Sequence, residues 1–199
     1  MRSLLLAALA TIAALVAAAA PALAHTGHEH TMLEGFGAGF VHPFGGIDHL
    51  LAMIAVGVWA AQIGGRAVWF VPLAFVGTMA AGGIAGFMGA GIGGTETVIV
   101  ASVLVLGAVI AAAAKPPLWI AMPLVGAFAL FHGLAHGAEL PEAADKIGYA
   151  AGFIVATAIL HAAGVALAFA LRKGAPSFAL RTAGAAQIGA GVLLAVGLI

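Results

Sequence analysis

The sequence predicts an all-α, polytopic membrane bundle of about six transmembrane helices following a cleaved signal peptide. Two observations carry that prediction. Of 199 residues, 64% are hydrophobic and only 7% charged, with a mean hydropathy of +1.19, a balance that soluble globular domains do not reach. The apolar residues also fall into stretches near the ~20 residues that cross a bilayer, separated by short polar punctuation.

Met1 to Ala24 reads as a secretory signal: Arg2, an apolar run from Leu4 to Ala20, and Pro21-Ala22-Leu23-Ala24 with small residues where a signal peptidase cuts. Residues 25–32 then form a short His-rich arm, and residues 33–199 the membrane domain. The predicted spans are Leu33–Ile63, Val68–Ile92, Thr97–Ala114, Leu118–Ala138, Ile147–Leu171 and Phe178–Leu198. Breaks fall at Gly64-Gly65-Arg66, at Gly93-Gly94-Thr95-Glu96, at Lys115-Pro116-Pro117, at Glu139 to Lys146 and at Arg172 to Ser177. Connections this short join antiparallel neighbours.

Charge orients the bundle. Arg66, Lys115, Arg172, Lys173 and Arg181 occupy alternate connections, whereas Glu96, Glu139, Glu142 and Asp145 occupy the others. The positive-inside rule assigns the first set to the cytoplasm and the mature N-terminus to the outside of a bacterial inner membrane. A formal net charge of zero without a basic run excludes nucleic acid as a partner, and the absence of cysteine excludes disulfides and thiolate metal sites. Glycines spaced by four at Gly35/Gly39, Gly82/Gly86, Gly89/Gly93 and Gly133/Gly137 predict close helix packing in lipid. Such faces permit packing within one chain or in a homo-oligomer.

Ionisable groups inside these spans are expensive and therefore mark function. His42-Pro43-Phe44-Gly45-Gly46-Ile47-Asp48-His49 combines three metal-capable side chains with a helix break; discontinuous helices of this kind build ion sites in transporters. His132 and His136 are one turn apart on one helix face, which Glu139 extends outward. His161 stands alone in its span. His25, His28 and His30 form a candidate capture arm at the mature N-terminus. At ~1.5 Å per residue from the outer end of each span, His136 lies about 4 Å deep, His132 about 10 Å, His42 about 14 Å, and His161 and His49 beyond ~20 Å, the order of a descending ladder. Without cysteine, the metal must be held by nitrogen and oxygen, with methionine sulfur a weaker donor.

The His42-Pro43-x-x-Gly46-x-Asp48-His49 motif, followed by Leu50-Leu51-Ala52-Met53, resembles the HupE/UreJ family, as does Phe131-His132-Gly133-x-Ala135-His136-Gly137-x-Glu139. The signal followed directly by histidine and the six spans extend the resemblance over essentially the whole chain. It implies uptake of a divalent transition metal, nickel or cobalt with zinc less favoured, rather than an enzyme. The alternatives are a membrane metalloenzyme, or a metal sensor or chaperone that binds without transporting. Against the enzyme, the chain has no Glu-x-x-His pair for a di-iron site and no His-Glu-x-x-His helix. With the two histidine motifs in the first and fourth spans, a three-plus-three inverted repeat is a further expectation.

Overall fold

The computed structural model describes residues 32–138, 140, 145–174 and 178–199. The signal segment, His25, His28, His30, Glu139 and Glu142 lie outside the described residues. Among those described, the chain is entirely helical: α1 (Met32–Val41), a 3-10 turn (His42–Phe44), α2 (Ile47–Ile63), α3 (Ala67–Phe87), α4 (Thr95–Ala111), α5 (Leu118–Ala138), α6 (Lys146–Gly174) and α7 (Ala179–Ala195).

Three helices, α3, α5 and α6, are long and apolar enough to cross a membrane. The two of 21 residues, α3 and α5, are about 31 Å long, the thickness of a hydrocarbon core. The predicted first span is broken: α1 with its 3-10 turn meets α2 at an angle of 83°. Both α4 and α7 are apolar but only 17 residues long. Large apolar side chains such as Trp69, Leu73, Ile84 and Trp119 point outward, as a lipid-facing surface requires.

The centre of the bundle is α2, whose Ala52, Met53 and Ala55 to Gln62 are all buried, so it is apolar around its whole circumference. Its main partners are α6, α4 and α3, while α3 packs against α5, α1 against α6 and α4 against α7. Reciprocal glycines form these seams. A Cβ at Gly82 or Gly86 would strike the carbonyl oxygen of Leu130 or Leu134, and one at Gly133 or Gly137 would strike that of Met79 or Gly83. The same exchange joins Gly39 with Tyr149 and Gly152 with Phe36 across α1 and α6, and Gly57 with His161 and Gly164 with Ile54 across α2 and α6. Backbones this close gain dispersion and Cα–H···O contacts, the forces left when lipid removes the hydrophobic drive. The Gly89/Gly93 pair behaves differently: both glycines lie between α3 and α4 and face open space.

The cationic connections gather at one end. There Arg172 Nη2 donates to the Gln62 carbonyl at 3.1 Å, Arg181 Nε to the Ala111 carbonyl at 2.9 Å, and Gln62 Nε2 to the Ile110 carbonyl at 3.0 Å. These donors satisfy carbonyls that the C-terminal turns of α2 and α4 leave open.

Candidate metal centre

The break in the first predicted span creates the site. Pro43 has no N–H to give a preceding turn, and Gly46 takes an extended conformation before α2 begins. A Cβ at Gly46 would lie 2.7 Å from Asp48 Oδ1 and 2.9 Å from His49 Nδ1, so any side chain there would displace this pair. The resulting bend places His49 beside His132 and His136, with ring centroids 4.9 and 4.3 Å away. His49 therefore does not occupy a rung below the α5 pair, as depth counted along a straight helix predicts. His42 joins from the other side of the break, its ring 4.7 Å from that of His136.

The α5 contribution follows from its His-Gly-x-x-His-Gly pattern. Residues one apart point ~100° apart on a helix, so Gly133 and Gly137 form the face pressed on α3 while His132 points toward α2 and α4 and His136 toward α2 and α6. One donor atom from each of His49, His132 and His136 lies within 4.8 Å of the others. An ion about 2.1 Å from each nitrogen would draw three such atoms to roughly 3.3 Å apart, within reach of small rotations. The histidine cluster can thus bind a metal ion.

Hydrogen bonds fix which nitrogens are available. The Asp48 carboxylate Oδ1 accepts from the His49 backbone N–H and lies 2.8 Å from His49 Nδ1. A carboxylate only accepts, so Nδ1 carries the proton and Nε2, which has no hydrogen-bond partner, keeps its lone pair. On His132 the logic runs through Ser102. Its Oγ donates to the Ile99 carbonyl at 2.6 Å and lies 3.1 Å from His132 Nε2. With its one proton committed, the hydroxyl accepts from Nε2–H, and the unpartnered Nδ1 holds the lone pair. The opposite tautomer would bury an unpaired N–H, which costs about 1–3 kcal/mol.

Exposure falls through the site. The Asp48 and His49 side chains are 17% and 12% exposed, His136 is 5% exposed and His132 fully buried. The Phe153 ring lies tilted against that of His136, 4.3 Å between centroids, and the Tyr149 ring lies 5.7 Å from that of His42. A crevice of about 480 Å³ between α3, α5 and α6 has His136, Tyr149 and Phe153 in its wall. It adjoins a second hollow at the α5–α6 connection, where Lys146 lies over the Phe87 ring at 4.2 Å.

Of the residues singled out from sequence, the structure brings His42, Asp48, His49, His132 and His136 together. His161 lies elsewhere on α6, against Phe75 at 5.0 Å between centroids. Ser102, Tyr149 and Phe153 were not signalled by sequence. A serine buried inside an apolar helix is the only hint Ser102 offers, and aromatic residues in a membrane span are ordinary.

The family model described as HupE / UreJ protein matches residues 13–194. The relative named Protein HupE, from Rhizobium leguminosarum bv. viciae, is 48% identical over 184 residues, covering 92% of this chain and 95% of the relative. No solved structure matches the chain significantly.

Proposed function

We propose, from the premise that the chain belongs to the HupE/UreJ family, that it takes up nickel or cobalt across the bacterial inner membrane through the histidine site at the broken helix. The family is associated with nickel and cobalt transport and is of permease type, not an enzyme family. The observation that carries the reading is the convergence of His49, His132 and His136, with Asp48 and Ser102 holding the first two in the tautomers that leave a lone pair for a metal. Neutral imidazole is a good ligand for Ni²⁺ and Co²⁺ and a poor one for Mg²⁺ or Ca²⁺. Zn²⁺ shares that chemistry, so geometry and supply decide among the late metals.

In this account His25, His28, His30 and Glu139 concentrate the hydrated ion outside. His42 and Asp48, on the more open side of the break, receive it. The ion then exchanges water for the His49 Nε2 and His132 Nδ1 lone pairs and a nitrogen of His136. Asp48 accepts the hydrogen bond from His49 Nδ1–H and places a negative charge beside the arriving ion. The cationic end of the bundle faces the cytoplasm and the start of α1 faces outward. Helices α4 and α7 complete six spans. The exchange of partners between halves, α1 and α2 with α6 and α3 with α5, supports a three-plus-three inverted repeat.

Equilibrium binding of Ni²⁺ to the purified protein tests the site. His49→Ala and His132→Ala should each weaken it by roughly tenfold or more; native affinity in both would remove the imidazole cluster from the account.

A further inference from the structure

Below the histidine cluster lies a second group of buried polar and sulfur atoms that the reading above does not use. His161 is 2% exposed, and neither ring nitrogen has a hydrogen-bond partner among the described residues. Buried imidazoles are normally paired, so such a residue calls for an explanation. One turn earlier on the same face of α6 is the fully buried Thr157, whose hydroxyl oxygen lies 3.5 Å from Met53 Sδ and 3.8 Å from Met79 Sδ, with one proton to share between the two thioethers. Sulfur is a weak acceptor. The group is therefore one imidazole, one hydroxyl and two thioethers, drawn from α2, α3 and α6.

Register sets these donors in adjacent layers. Helix α3 meets α6 antiparallel, with Phe75 against His161 and Met79 against Thr157, so the two contacts lie one turn apart along the same seam. Side chains on a helix lean toward its N-terminus, which directs His161 toward the level of Thr157 and the two sulfurs. The Phe75 ring separates the two layers, 5.7 Å from the His132 ring and 5.0 Å from that of His161. Beyond it the backbones of α2 and α6 touch at Gly57 and Gly164.

We propose that His161, Met53, Met79 and the Thr157 hydroxyl form a second ion station, of mixed imidazole and thioether character, to which the ion passes from the histidine cluster. This rests on the permease reading and extends it. The transfer is a ligand exchange: lone pairs of His49, His132 and His136 release the ion as His161 nitrogen and methionine sulfur take it, with no change of oxidation state. Thioethers favour borderline and soft ions, so the station admits Ni²⁺, Co²⁺ and Cu⁺ and disfavours Mn²⁺, Mg²⁺ and Ca²⁺.

Equilibrium dialysis of the purified full chain with Ni²⁺, combined with Ni K-edge X-ray absorption and proteoliposome uptake, tests it. The native protein should bind a second ion per chain and show a sulfur scatterer. His161→Ala, and separately the paired change Met53→Leu with Met79→Leu, should remove the second ion and slow uptake at least tenfold while the first ion stays bound. Leucine conserves methionine's volume, so the paired variant remains informative if His161→Ala fails to fold. A native protein that takes up Ni²⁺, binds one ion without sulfur and is unaffected by the paired change would overturn the second station alone. A native protein that binds no Ni²⁺ would overturn the permease reading on which it rests.

Discussion

Replacing Ser102 by alanine should weaken metal binding although Ser102 itself is never a ligand. In the native protein its hydroxyl accepts from His132 Nε2–H while donating to the Ile99 carbonyl. Alanine leaves a buried N–H without a partner, a cost of about 1–3 kcal/mol. A proton moved to Nδ1 would be just as unpaired, so alanine removes the preference for the tautomer that leaves Nδ1 open to the ion, and the ring loses the partner that orients it. Removing the partner that orients a ligating histidine costs roughly 10- to 100-fold in metal affinity, and a loss in that range is expected. Titration with Co²⁺, followed by its visible absorption, measures the loss, and ¹⁵N chemical shifts of labelled histidine report the tautomer. Ser102→Thr keeps an acceptor oxygen and should recover most of the affinity. If Ser102→Ala binds Co²⁺ as tightly as the native protein, or the native His132 carries its proton on Nδ1, the tautomer argument is refuted.

Three further outcomes are expected. Gly46→Ala should impair metal binding more than folding, because its Cβ would collide with the Asp48–His49 pair; unchanged Co²⁺ affinity would contradict the packing at the break. Gly57→Ala should destabilise the bundle by about 1–3 kcal/mol or more, since its Cβ would meet the His161 carbonyl at a backbone seam, and thermal unfolding in detergent reads the loss. Uptake should be weaker at external pH 5 than at pH 7, because protons compete with the ion for the imidazoles of the outer arm, His25, His28 and His30, below the usual histidine range near ~6.5; equal saturable uptake at both would show that the arm does not control entry.

Much of this architecture is legible in the sequence because a membrane leaves few options. Apolar stretches mark the helices to within a few residues, as Leu118–Ala138 does for α5, and the spacing of His132 and His136 puts both on one face. Pro43 and Gly46 announce a break, but the 83° turn that carries His49 to His136 depends on tertiary packing and has no local signature. Glycine spacing is similarly ambiguous: Gly133/Gly137 builds a seam, while Gly89/Gly93, with the same interval, belongs to a connection. Ser102 is invisible in advance because a serine bonded to a carbonyl in its own helix is commonplace. Its importance comes from the imidazole that α5 brings against it.

The most direct test of the account is uptake of Ni²⁺ and Co²⁺, in competition with Zn²⁺, into proteoliposomes containing the native protein or a His42→Ala/His132→Ala variant. The account predicts saturable uptake by the native protein that the variant loses. Tight binding by the native protein without any uptake would contradict it, and would point to a sensor or chaperone that holds the metal without passing it on.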